Sequence, residues 1–389
     1  MPYPLTSEKM RLMETPLQAL TRLKNGPRPV IGCLPLYPPV ELLHSMGLTP
    51  IVLWGLSEVV PNVNDADRHL QNYVCSVARR LTQFVISEWE ELLDGLFFYN
   101  AGDTLRNLPE ILREGVIDTG GLLYPQFHLH VPMTPPAQTD ASDYLQTQIK
   151  ALIASLENHY GIPFSEERFA DSVALYDRMR ELCRQLEAAV AGGAMGFAEF
   201  RRALTTANFL VVNEQIVLLE SCLAGLREQP PASAAAPIIV SGILPPPDEI
   251  CDIMDQAGLR VVGNDIAFMH RAYARSPEDW RDVSDYYRQF YRDHFPCTTL
   301  LYTADRRVPA VMELALGQQA RGFLFVGEKF CEYEYFEWPY LEKQLKDQGL
   351  ATLSFEIAME SGAGGETLRT RLEAFREMIS NGGEKRHGN

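Results

Sequence analysis

Pro29-Val-Ile-Gly-Cys-Leu-Pro-Leu-Tyr-Pro-Pro-Val-Glu-Leu-Leu-His-Ser-Met-Gly-Leu-Thr-Pro-Ile-Val-Leu-Trp54 decides the fold. Its first part, Pro29 to Leu34, is short, apolar, β-branched and bounded by proline, which reads as a strand. Pro35, Pro38 and Pro39 then hold the next loop extended. Val40 to Met46 carries apolar residues at helical spacing, and Gly47 stops it. Pro50 to Trp54 is a second strand. A strand, a helix and a strand in so short a span form a right-handed crossover between parallel strands.

Outward from this unit the alternation continues. A long helix is expected from Asp67 to Leu93, a strand at Gly95–Tyr99, a helix at Leu105–Glu114 and a strand at Leu122–Val131. Such alternation predicts a doubly wound sheet with buried parallel strands. Residues 141–229 are different: apolar positions recur at helical spacing, as in Tyr144–Leu152 and Phe169–Met179. Ser165 followed by Glu166 and Glu167 is a helix start with its acids in the first turn. Gln229 to Pro237 is a linker by composition. Strands then return at Ile238–Leu244, Leu259–Val262, Gly322–Gly327 and Ala351–Phe355, with helices at Pro247–Ala257, Pro277–His294 and Leu368–Ser380. The expected division is an N-terminal helical segment (1–27), a first α/β domain (28–140), a helical region (141–229), a second α/β domain (230–381) and a disordered tail (382–389).

The 389 residues exceed one ordinary core, and 46% hydrophobic with 22% charged residues fits a globular chain. The formal net charge of −16 disfavours non-specific nucleic-acid binding, which needs a basic surface. No apolar run reaches the ~18 residues of a membrane span, and Met1 to Met10 lacks a signal-peptide pattern. The expected location is the cytoplasm.

Seven cysteines, at 33, 75, 183, 222, 251, 297 and 331, are widely spaced and odd in number, which argues against a disulfide framework. None forms a CxxC pair, so a metal site must be assembled from distant parts of the chain. Cys331 follows an apolar strand in a turn of aromatics and acids, and reads either as a half-buried small hydrophobe or as a thiol within reach of a cleft. Cys75 lies near the start of a long helix, either as core packing or as a thiolate favoured by the positive helix end. Cys33 reads as core, Cys183, Cys222 and Cys251 as packing, and Cys297 as a loop residue. His128 and His130 share one side of an extended segment, a strand-end polar pair with no third ligand in view. Glu328, Glu332 and Glu334 read as a solvated acidic turn. Phosphate-loop, GxGxxG and GxSxG patterns are absent where they would matter.

Several of these residues resemble a known family. Gly32 to Pro50, with Pro39-Val40-Glu41-Leu42, is similar to the opening signature of the 2-hydroxyacyl-CoA dehydratase and benzoyl-CoA reductase family. Cys75 with Arg79, Phe330-Cys331-Glu332 and Thr370-Arg-Leu-Glu-Ala-Phe375 resemble its later elements. Gly102-Asp-Thr-Leu-Arg-Asn-Leu108 resembles a Cys-Asp…Arg-Asn-Leu element with glycine in place of the cysteine. The match is nearest to the smaller cluster-bearing subunit of a benzoyl-CoA reductase.

The resemblance implies two Rossmann-like parallel-sheet domains joined by a helical region. It also implies a [4Fe–4S] cluster held in the cleft by three cysteines, a homologous cluster-bearing partner subunit, an ATP-hydrolysing activator that supplies low-potential electrons, and an acyl-CoA substrate. Cys75 and Cys331 are the metal ligands so implied, with Asp103 or Cys33 as substitutes for the missing thiolate. Leu36, Tyr37, Glu41, Asp103 and Arg106 become candidates for the substrate cleft, and Arg79, Arg106 and Lys329 for anion contacts. Leu36 stands where some dehydratase subunits have serine, and an apolar residue there suits an aromatic acyl group better, or a subunit that does not bind substrate. Three readings remain: an iron–sulfur oxidoreductase subunit acting on an aromatic acyl-CoA in anaerobic aromatic degradation, a subunit of an (R)-2-hydroxyacyl-CoA dehydratase, and a cluster-free structural subunit of such a complex.

Overall fold

Two parallel sheets grow from the apolar runs. The computed structural model describes residues 14–56, 58–134, 139–226, 235–300, 303–357 and 365–384. A first helix, α1 (Pro16–Lys24), leads into β1 (Val30–Cys33), α2 (Val40–Ser45) and β2 (Thr49–Val52). Then come α3 (Ser76–Leu92), β3 (Gly95–Tyr99), α4 (Gly102–Asp118) and β4 (Gln126–Leu129). Four helices follow without a strand: α5 (Thr139–Tyr160), α6 (Glu166–Ala191), α7 (Phe197–Ala207) and α8 (Val212–Ala224). The second half runs β5 (Ala236–Gly242), α9 (Asp248–Gln256), β6 (Leu259–Ile266), α10 (His270–Tyr273), α11 (Val283–Asp293), α12 (Ala304–Gly317), β7 (Gly322–Glu328), α13 (Glu332–Asp347), β8 (Ala351–Ile357) and α14 (Gly365–Glu384).

The strand orders are β2-β1-β3-β4 and β6-β5-β7-β8, all parallel. The central strands β1, β3 and β7 are buried at every position, which is why they read as unbroken apolar runs. Edge strand β4 alternates instead, and β8 is only partly buried. Both sheets reverse direction of winding at their middle, between β1 and β3 and between β5 and β7. Ligands of open α/β sheets sit at such switch points, beyond the strand carboxyl ends.

Helix α6 joins the halves. Arg180 reaches Glu41 on α2, while Arg184 donates to the carbonyl of Tyr273 at 2.8 Å and Glu187 meets His270 at 2.9 Å. Tyrosines of α11 complete the joint: the hydroxyls of Tyr286 and Tyr287 donate to Glu41 at 2.9 and 3.0 Å.

Several expectations need correction. The helix expected from Asp67 begins at Ser76; Ala66–Arg68 is a separate 3-10 turn, tied by the Gln83 side chain to the amides of Asp65 and Ala66. Helices α12 and α13, which contain Pro309 and Pro339, are not among the elements expected from the sequence pattern. Trp54 leaves the second strand for a 3-10 turn and donates its indole N–H to the carbonyl of Leu34. Residues 382–384, expected in the tail, continue α14. The rest of the tail, most of the expected linker and the start of the N-terminal segment fall outside the described residues. No described helix is long and apolar enough to cross a membrane.

Candidate functional site

The two switch points face each other across one cavity of 200 Å³, lined by Cys75, Gly102, Ile243, Phe330, Cys331 and Tyr333 among others. Each sheet supplies its own part. Cys75 is the N-cap of α3, and Gly102 opens α4 directly beyond β3. Ile243 follows β5, and Cys331 is the N-cap of α13 beyond β7. The two sulfurs implied by the resemblance therefore come together, one from each half, although most of the chain separates them.

A hydrogen bond ties their loops. Ser76, the first residue of α3, donates its hydroxyl to the buried Glu328 carboxylate at the end of β7. The Cys331 amide donates to the Glu328 carbonyl at 3.0 Å. Burial pushes the Cys75 thiol up to about 12, with Glu328 adding to the shift. Burial likewise holds Cys331 well above the ordinary thiol range, with Glu334 and Cys75 contributing.

These residues do not fit a three-thiolate cubane. At the third position Gly102 has φ +65°, a left-handed conformation that other residues adopt only under strain. A β-carbon placed there would stand 2.9 Å from Cε2 of Tyr333. The tyrosine ring thus fills the room that a cysteine side chain needs. Among the described residues no group of three His, Cys, Asp or Glu is placed to hold a metal. Cys33 offers no substitute: it is buried inside β1, its thiol donating to the Ile31 carbonyl at 3.6 Å. Asp103 lies in the first turn of α4, and its side chain is outside the described residues.

The other sequence candidates lie elsewhere. Glu41 is fully buried, paired with Arg180 and accepting from both tyrosine hydroxyls, so it is part of the joint and does not face the cavity. Leu36 and Tyr37 line a different cavity of 140 Å³, shared with Tyr176, Arg180 and Phe290. Tyr37 also donates to the Ala267 carbonyl at 3.3 Å. Arg106 is exposed on α4. Arg79 is engaged by Asp67 at 2.6 Å, and the Lys329 ammonium lies 5.1 Å from the Phe330 ring centre. His128 stacks on Phe98 and His130 meets Tyr144 edge-on, so the pair packs against aromatics.

The acidic turn departs furthest from expectation. Glu328 and Glu334 are buried, and only Glu332 is exposed. Behind Glu334 lies a charge cluster: Asp265 accepts from Arg271 and Arg307, all three fully or almost fully buried. Arg307 also pairs with Glu337 at 2.9 Å. Two arginines are then balanced by Asp265 and Glu337, leaving Glu334 as the extra acid. Burial raises its carboxyl to about 7, against the pull of Arg271 and Arg307. The sequence shows the acids but not the arginines that surround them.

This has a measurable consequence. An unfolded glutamate titrates near about 4.3. Between there and neutrality the folded chain holds a proton that the unfolded chain has lost, so stability falls as pH rises through this window. Glu334→Gln is expected to equal the natural protein in stability near pH 4 and to exceed it by about 1–3 kcal/mol at pH 8. Denaturant titrations at the two pH values check this; an equal difference at both would show that Glu334 is ionised throughout.

Comparison with known proteins finds matches over most of the chain. The family model for 2-hydroxyglutaryl-CoA dehydratase, D-component, matches residues 35–379. The chain is 23% identical to the (R)-phenyllactyl-CoA dehydratase beta subunit of Clostridium sporogenes, over 90% of this chain and 91% of that protein. It is 24% identical to the beta subunit of the (R)-2-hydroxyglutaryl-CoA dehydratase of Acidaminococcus fermentans, over 96% and 99%. A benzoyl-CoA reductase subunit of Thauera aromatica is 21% identical over 90% and 91%. The matched span holds the helical joint, the cavity and every strand except β1, and the chain belongs to the 2-hydroxyglutaryl-CoA dehydratase D-component family.

Proposed function

We propose that this chain is one subunit of a heteromeric enzyme acting on acyl-CoA thioesters, of the dehydratase or reductase kind, and that it carries no three-thiolate cluster of its own. The single observation behind this reading is the Tyr333 ring packed against a left-handed Gly102. The reading gives cluster-dependent electron transfer to a homologous partner subunit, served by an ATP-hydrolysing activator. This chain's own residues then shape a dry cavity and hold it closed: Ser76 and Glu328 fasten the two cysteine loops, and Glu41 with Arg180 fastens the halves. The aromatic-acyl branch favoured by Leu36 loses that support, since Leu36 lines the other cavity.

The test is anaerobic reconstitution of the purified chain with iron and sulfide, followed by metal and sulfide counting. The expected result is far less than one cubane per chain. A full, stable complement of iron and sulfide in the natural sequence would overturn the reading. Gly102→Cys alone is expected to leave iron low, because the new side chain meets both the backbone strain, about 1–2 kcal/mol, and the Tyr333 ring. Combining it with Tyr333→Ala is expected to raise bound iron. If the single substitution suffices, Tyr333 is not the obstacle.

A further inference from the structure

We propose that Cys75 and Cys331 are a redox modification site: oxidised by a small uncharged disulfide, they join in one reversible bridge that fastens the two halves across the cavity. The proposal rests on the cluster-free reading above, since a thiol that holds no iron is free to pair.

Selectivity is the first argument. Cys33, Cys183, Cys222, Cys251 and Cys297 are buried, whereas Cys75 and Cys331 are half-buried. These two are the cysteines that line the 200 Å³ cavity. A thiol must be reachable to be oxidised, and a sensor thiol works best beside a second that can resolve it. A reagent small enough to enter meets this pair and not the other five.

Position is the second. A bridge needs side chains that face each other, with α-carbons within about 7 Å. Contacts between the halves flank the two cysteines on either side. Ser76, next to Cys75, donates to the Glu328 carboxylate, and the Glu328 carbonyl accepts from the Cys331 amide. On the other side Tyr333 of α13 packs on Gly102 at the start of α4. Both cysteines also pack against one apolar core, which Ile243 and Leu244 join from the second half.

Strain is the third. Phe330 has φ +64°, a left-handed conformation that a bulky residue adopts only at a cost. This turn sets Cys331 at the cap of α13, on the wall of the cavity. A relaxed turn of the same length has no need of that conformation, so the strain is tied to where the sulfur sits.

The chemistry is thiol–disulfide exchange. One cysteine loses its proton and attacks the reagent's S–S bond, which gives a mixed disulfide and releases one small thiol. The second cysteine loses its proton and attacks the mixed disulfide, and the other small thiol leaves. Two protein S–H bonds and one reagent S–S bond become one protein S–S bond and two free thiols, so two electrons pass from the chain to the reagent. The bridge crosses the cavity and shuts it to any occupant. It also joins residues far apart in the chain, and a long closed loop restrains the unfolded state most.

The experiment uses the full chain under anaerobic conditions, equilibrated with mixtures of bis(2-hydroxyethyl) disulfide and 2-mercaptoethanol. The reagent is uncharged because Glu332 lines the cavity and Glu328 is buried beside the cysteine loops. Samples are quenched with iodoacetamide in denaturant and read by intact and peptide mass spectrometry. The thiols open to alkylation are expected to fall from seven to five, with no reagent attached and one cross-linked peptide pair that holds Cys75 and Cys331. Cys75→Ser and Cys331→Ser are each expected to retain one mercaptoethanol group instead. Hydrogen exchange of residues 73–78 and 330–335 is expected to slow about tenfold in the bridged chain, and dithiothreitol to restore it. Stable adducts on both cysteines, a bridge between two chains, or a bridge to one of the five buried cysteines would overturn the proposal. A bridge that leaves exchange unchanged would overturn the fastening of the halves. The natural sequence decides alone if a serine variant does not fold. Iron and sulfide are counted on the same sample: an iron-free chain that forms no bridge defeats this inference only, whereas a cluster-loaded chain defeats the reading beneath it.

Discussion

Asp265→Asn is expected to destabilise the chain by about 3–5 kcal/mol, a large part of the ~5–15 kcal/mol that holds a typical domain folded. One carboxylate serves two buried arginines. Its Oδ1 accepts from Arg271 Nε at 2.9 Å and from Arg307 Nη1 at 2.7 Å. Its Oδ2 accepts from Arg271 Nη2 at 3.0 Å, Arg307 Nη2 at 2.6 Å and the Ser241 hydroxyl at 2.8 Å. An amide of the same shape removes the charge and turns an N–H₂ donor toward guanidinium donors, so Arg307 is left with Glu337 at 2.9 Å and Arg271 with Glu334 at 3.6 Å. Burial alone would raise the Asp265 carboxyl, but Arg271 and Arg307 outweigh it and hold the group well below the usual carboxylate range. For a depressed acid the stabilisation is complete above the unfolded value, about 3.9, and fades only as pH falls toward the folded one. The Asp265 charge also helps to raise the Glu334 carboxyl, so the difference between natural and variant chains in urea-unfolding midpoints should be largest near about pH 5 and narrow as pH rises toward about 7. A loss under about 1 kcal/mol would show that the arginines find other compensation, since breaking a buried pair ordinarily exceeds it.

Glu41→Gln is expected to be nearly as severe, about 3–5 kcal/mol, for the same physical reason at a different place. Arg180 would remain buried at the joint between the halves without its full charge partner. The Tyr286 and Tyr287 hydroxyls would lose a charged acceptor and keep a weaker one. The double variant Glu41→Gln with Arg180→Met is expected to recover much of the loss, because no orphan charge is left inside. A double-mutant cycle measures this directly. Simple additivity of the two single losses would show that the residues do not act as a pair. Because Glu41 sits on α2 and its partners on α6 and α11, loosening here should also speed modification of Cys75 and Cys331.

Much of the scaffold is legible along the chain, for a reason visible in the residues. Val30–Cys33, Gly95–Tyr99 and Gly322–Glu328 are buried on both faces, and each announces this as an unbroken apolar run. Ser165 and Glu166 mark the start of α6, where the Ser165 hydroxyl accepts from the Arg168 amide at 3.3 Å. Helix α13 is hidden by its acid-and-aromatic opening. The site is legible only in part. Resemblance points to Cys75 and Cys331, but residue spacing cannot join them. Glu328 and Glu334 look like solvated charges because the groups that surround them, Ser76 and Arg271 among them, are far away in the chain.

The order of the strands and of most helices and the parallel winding follow from local patterns, since periodicity and prolines are written along one dimension, whereas glycine at 102 stands out only through the family resemblance. Which thiols share a cavity, which acids are buried, and that Tyr333 rather than a metal ligand fills the space beside Gly102 depend on contacts between distant segments. Burial and charge pairing are properties of the packed halves, and they set the protonation of the thiols and carboxyls around the site.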